Sequence, residues 1–80
     1  MNDLINNIEK VHTTEMGIER IKRNLSVPIV DEDVVEYCKG LILEKGAVIE
    51  RKGKNWYVSV CGSLITVNAS SYTIITAHKE

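Results

Sequence analysis

The apolar positions change their period once along the chain, from about 3.6 residues to 2. Leu4, Ile5, Ile8 and Val11 fall at helical spacing and predict an amphipathic helix over 3–11. Met16, Ile18, Ile21 and Leu25 predict a second helix over roughly 14–25, with Thr13 or Thr14 as its N-cap. The two threonines argue for a break between these helices rather than one continuous rod. "SVPIV" is a connector, because Pro28 lacks the amide a helix interior needs. In "DEDVVEYCKGLILEKG", Val34, Val35, Cys38, Leu41 and Ile42 share one face of a third helix. Asp31 is its expected cap, and Gly46 its expected left-handed stop.

Beyond Gly46 the chain is rich in Val, Ile, Thr and Tyr, with turn residues at "KGKN", "CGS" and "NASS". Four strands are expected, at about 47–51, 55–61, 64–68 and 72–78. A turn at Gly53-Lys54 pairs Ile49 with Val58. A turn at Gly62-Ser63 pairs Val60 with Ile65 and Val58 with Val67. These registers place the apolar residues on one face and Val48, Glu50, Tyr57, Ser59, Cys61, Leu64, Thr66 and Asn68 on the other. The last strand has two solutions. A three-residue loop at 69–71 turns Thr73, Ile75 and Ala77 to the core and sets Tyr72, Ile74, Thr76 and His78 on the polar face. A two- or four-residue loop reverses this.

The expected fold is therefore α+β: two or three N-terminal helices (residues 1–46) packed on one face of a four-stranded antiparallel meander (residues 47–80), in a single domain. At 80 residues the chain is short enough that association with a partner would help stabilise it. No apolar run approaches the ~20 residues that span a bilayer. The start "MNDLINNIEK" is acidic and amphipathic rather than a secretory signal, so the expected location is the cytoplasm.

Net charge is −1 but divided. Residues 1–44 carry five Lys/Arg against nine Asp/Glu, whereas residues 45–80 carry five against two. An excess of cations on the β half points to an anionic partner. "ERKGKNWYV" joins Arg51, Lys52 and Lys54 to Trp56 and Tyr57 at a hairpin, and Lys79 adds a cation at the end. Cations hold phosphates and aromatic rings stack bases, so these residues are candidate RNA contacts. The competing reading is a solvated turn whose charges protect a sheet edge, with Trp56 a core or edge piece rather than a stacking platform.

RNA cleavage without a metal needs a base for the 2′-hydroxyl, an acid for the leaving oxygen and charge around the phosphate. His78, Tyr57 and Arg51 are the candidate catalytic residues, with Glu50 as a further proton carrier and Lys54 and Lys79 as further cations. The competing reading is a solvated face in which Thr, Ser and Tyr serve strand propensity. His12 and Glu15 lack further ligands for a metal, and capping of the second helix explains them better. Cys38 and Cys61 match no metal or redox spacing, and each is expected as a small buried hydrophobe rather than half of a disulfide. No cofactor or metal is expected.

"HTTEMGIERIKRNL", "VVEYCKGLI", "IERKGKNWYVSV" and "ITVNASSYTIITAHK" together resemble a small family of bacterial proteins known only as a domain of unknown function. The resemblance spans nearly the whole chain and is most specific from Ile65 to Lys79. More distantly, helices followed by a four-stranded meander resemble the RelE/barnase/EndoU-like fold of small ribonucleases and toxins. That likeness implies an RNA-binding or metal-independent ribonuclease module. The alternative is a non-enzymatic structural or interaction domain, homodimeric through its sheet.

Overall fold

A computed structural model describes residues 3–26 and 28–80. Three helices precede a meander of order β1-β2-β3-β4, and they pack on one of its faces. The fold is α+β, as the change of period predicts.

The first helix is much shorter than its apolar spacing suggests. α1 covers Asp3–Asn6 only, and a separate 3-10 turn covers Ile8–Lys10. Asn7 interrupts it, and its side-chain amide donates to the Asp3 carbonyl at 2.9 Å. Such local bonds compete with helix propagation. α2 spans Glu15–Leu25, and the Thr14 hydroxyl accepts the Gly17 amide at 3.1 Å, so the expected N-cap is present.

α3 spans Asp31–Ile42, but two details of its ends differ from expectation. Asp31 is not the cap: Val30 occupies that position, and the Asp31 carboxylate receives Lys22 Nζ at 2.7 Å instead. Gly46 is not the left-handed stop either. The helix closes at Leu43 in right-handed geometry, and positive-φ glycines occur only at 53 and 62.

β1 spans Val48–Lys52, β2 Asn55–Val60, β3 Ser63–Asn68 and β4 Ile74–Lys79. The first hairpin pairs Ile49 with Val58 around Gly53-Lys54, as expected. The second turn lies one residue earlier than expected, at Cys61-Gly62, and pairs Val58 with Ile65 and Trp56 with Val67. Both turn residues have positive φ, 49° and 74°, the type I′ geometry that matches strand twist. This register also ends β2 and β3 flush at Asn55 and Asn68. Moving the turn by one residue shifts the pairing by two, so every side chain keeps its expected face.

The third hairpin combines features of both anticipated solutions. Four residues, 69–72, separate Asn68 from Thr73, and the Asn68 amide donates to the Thr73 carbonyl at 2.8 Å. Such a loop alone would turn Thr76 and His78 toward the helices. A bulge between the Thr66 and Val67 pairings reverses the effect. Val67 faces Ile74, Thr66 faces Thr76, and Ile75 is the extra residue. Ile74 is therefore buried and Ile75 exposed, the reverse of the three-residue solution. Thr76 and His78 regain the open face, opposite Thr66 and Leu64. Tyr72, with φ of 61°, leaves that face and packs its ring 5.3 Å from Trp56.

The core lies between the helices and the sheet. Ile21 and Leu25 of α2 and Val34, Cys38 and Ile42 of α3 meet Val58, Ile65, Val67, Ile74 and Ala77. Burying one of the large aliphatic side chains stabilises by about 1.5–3 kcal/mol. α2 lies over β4 and α3 over β2, which leaves β1 at the margin of the helical layer.

Candidate functional site

The face opposite the helices has no covering element among the described residues. Its middle row runs Glu50, Tyr57, Thr66 and Thr76 across the four strands. The next row runs Val48, Ser59, Leu64 and His78. Thr66 is only 8% exposed, because Tyr57 and Thr76 flank it. A shallow depression crosses the face at Val48, Glu50, Tyr57, Ser59 and Leu64. Its chemistry is hydroxyl-rich and apolar, with one ion pair, Lys52 Nζ to Glu50 Oε1 at 3.5 Å.

The sequence-predicted catalytic residues do not converge. Tyr57 and His78 share the open face, but β3 lies between their strands. Their backbones are roughly 10 Å apart across the sheet, and they are offset by two residues, roughly 7 Å, along it. Arg51 belongs to the other face, paired with Trp56, and its guanidinium lies 5.4 Å from the indole centroid. Arg51 Nε also donates to the Gly53 carbonyl at 3.0 Å.

The expected nucleic-acid contacts separate as well. Trp56 is 4% exposed and is a core residue rather than a stacking platform. Lys52 is held by Glu50 on the open face, and Lys54 lies in the β1–β2 turn. Lys79 pairs with Ser63 at the opposite end of the sheet. Five residues separate that end from Asn68, roughly 17 Å of strand. Glu50 and Glu80, rather than further cations, border the depression.

Tyr57 Oη receives the Asn55 side-chain amide at 3.5 Å, while Asn55 Oδ1 is buried without a partner.

The segment 11–13 does work that its sequence did not reveal. It lies parallel to the start of β4, with the His12 amide donating to Tyr72 O at 3.1 Å and the Ile74 amide to His12 O at 2.7 Å. The Thr13 hydroxyl donates to Ile74 O at 2.9 Å. His12 Nδ1 bonds the Lys10 carbonyl at 2.8 Å, and Nε2 bonds the Thr73 hydroxyl at 3.1 Å. His12 is thus a structural clasp on the outer edge of β4. Only the capping by Thr14, beside it, was legible from the sequence. Among the described residues no three His, Cys, Asp or Glu side chains gather as a metal site.

Burial pushes the Cys38 thiol up to about 11. Cys61, expected to be buried, is exposed because it forms the β2–β3 turn, and both thiols are free. No helix among the described residues is long and apolar enough to cross a membrane.

A helix-backed meander with one face uncovered among the described residues defines a small α+β domain. A family model described as "Protein of unknown function (DUF3781)" matches residues 5–78, and the chain belongs to that family. No curated protein and no solved structure matches it.

Proposed function

We propose that this chain is a non-enzymatic protein-interaction domain that self-associates through its sheet. One observation carries the reading: β1 is an edge strand with no strand on its outer side among the described residues. Residues 11–13 bond to the outer side of the chain at Tyr72–Ile74, where β4 starts, and α2 lies over β4, whereas β1 pairs with β2 alone among the described residues. An unpaired strand edge is a template for another strand. The adjoining open face supports it, because Val48 is 65% exposed and lines the same depression as Tyr57 and Leu64.

The ribonuclease reading has less support. Its proton carriers lie two strands apart, its arginine lies on the other face, and its tryptophan is buried. The RNA-binding reading retains the exposed Arg51, Lys52 and Lys54 at one corner of the sheet. Sedimentation equilibrium over a range of protein concentrations tests the proposal, with RNA added in low salt as the competing arm. A concentration-dependent dimer supports it. A monomer at every concentration, or a monomer that binds RNA, removes it.

A further inference from the structure

The geometry points to one partner and one register for the open edge: a second copy of β1, antiparallel, with Ile49 facing Ile49 across a two-fold axis. This inference rests on the self-association reading above.

The hairpin geometry decides which backbone groups are available. A two-residue turn at Gly53-Lys54, with positive φ only at Gly53, makes the flanking pair Lys52–Asn55 hydrogen-bonded. Antiparallel pairs alternate, so Glu50–Tyr57 and Val48–Ser59 are hydrogen-bonded too. The amides and carbonyls of Ile49 and Arg51 therefore point away from the sheet. A second β1 can meet them in registers centred on residues 48 to 52. Centring on Val48 relies on the Ala47 amide, which already donates to the Glu44 carbonyl at 3.1 Å. Centring on Lys52 opposes two lysines, which leaves three registers, about Ile49, Glu50 or Arg51.

Charge separates the three. Centring on Glu50 sets Glu50 opposite Glu50, and centring on Arg51 sets Arg51 opposite Arg51. Like charges directly opposed destabilise a strand pair. Centring on Ile49 opposes the two isoleucines, sets Val48 against Glu50 of the second copy, and sets Ala47 against its Arg51. No like charges face each other. Ile49 already packs against the core from its own sheet, so the pairing extends that apolar layer. The exposed Val48 gains cover from the aliphatic stem of the facing glutamate.

Sterics permit this arrangement. A two-fold axis normal to the sheet puts the helices of both copies on the same side. α2 lies over β4 and α3 over β2, so the helices sit toward the far strands and away from the join. The product is one continuous eight-stranded sheet with a bare face on the other side.

Site-specific cross-linking tests the register. In a Cys61→Ser background, which removes the exposed thiol, Ile49→Cys, Glu50→Cys and Arg51→Cys are oxidised separately. Directly opposed residues in hydrogen-bonded pairs lie about 5.5 Å apart at Cα, within disulfide reach. Ile49→Cys is expected to give the disulfide-linked dimer and the other two variants little. Ile49→Lys is expected to weaken dimerisation roughly tenfold or more, equivalent to 1.4 kcal/mol, with an unchanged far-ultraviolet spectrum confirming the fold. Preferential cross-linking at Glu50 or Arg51, or a dimer that no β1 cysteine captures, overturns the register while self-association stands. A monomer at every concentration overturns both.

Discussion

His12 and Thr73 are joined twice, by a parallel backbone bridge and by a 3.1 Å hydrogen bond between imidazole Nε2 and the hydroxyl. The contact links residues 61 positions apart and fixes the chain before α2 to the start of β4. With Nδ1–H donating to the Lys10 carbonyl, a neutral imidazole accepts the Thr73 proton at Nε2. His12→Ala removes both side-chain bonds and leaves the backbone bridge. It is expected to lower stability by about 1 kcal/mol in urea denaturation, the net worth of a typical hydrogen bond. A loss of several kcal/mol would show that His12 does more than clasp an edge.

Gly17 tests the same clasp from α2. Helix propensity alone favours Gly17→Ala by about 1 kcal/mol. A Cβ there would collide with Thr13 Oγ1, however, with Thr13 Cβ at 3.3 Å. Rotating the hydroxyl away breaks its bond to Ile74 O. Gly17→Ala is therefore expected to destabilise by about 1 kcal/mol. In a Thr13→Ala background the same substitution should be less harmful. Equal effects in both backgrounds, measured as a double-mutant cycle, would remove the proposed coupling.

Trp56 separates a core role from nucleic-acid contact. It is the chain's only tryptophan and is 4% exposed, between Tyr72 and the Arg51 guanidinium. Its fluorescence should be blue-shifted and poorly quenched by iodide, and RNA in low salt should leave the spectrum unchanged. Arg51→Ala should cost about 0.5–1 kcal/mol, the scale of an exposed cation–π contact. Strong quenching by RNA would restore the aromatic to the binding role inferred from "KNWYV".

The bulge in β4 makes neighbouring isoleucines unequal. Ile74 is 1% exposed and Ile75 is 38% exposed. Ile74→Ala should destabilise by about 2–5 kcal/mol, the range for emptying a core site. Ile75→Ala should cost about 1 kcal/mol or less. Denaturation midpoints of the two variants check this, and comparable losses would contradict the observed register.

That contrast shows where sequence reading reached its limit. Alternation settled the faces of β1, β2 and β3, because a register shift of two preserves them. In β4 the loop length and the bulge each invert the alternation, and neither has an unambiguous signature in "NASSYTIITAHK". Helix existence was legible from apolar spacing and the Thr14 cap. The shortening of α1 was not, since Asn7 acts through a local side-chain bond. The candidate site failed in a different way. Arg51 and Tyr57 lie close in sequence but on opposite faces, so "ERKGKNWYV" concentrates chemistry that the strand period divides.

Cys38 carries the pH prediction. It is fully buried in α3, and burial pushes its thiol from 9.0 to about 11. The native state therefore keeps a proton that the unfolded chain releases above about pH 9. Its contribution to stability is fully present below the unfolded value and is lost as pH rises through the window from 9.0 to about 11. A two-unit shift corresponds to about 3 kcal/mol. Urea denaturation across this window should show an alkaline loss that is smaller in Cys38→Ala, even though that variant is less stable at neutral pH. At pH 8 a thiol reagent should label the exposed Cys61 at once, and Cys38 only at the rate of unfolding. Rapid labelling of both thiols in the native protein would mean that Cys38 is not sealed in the core.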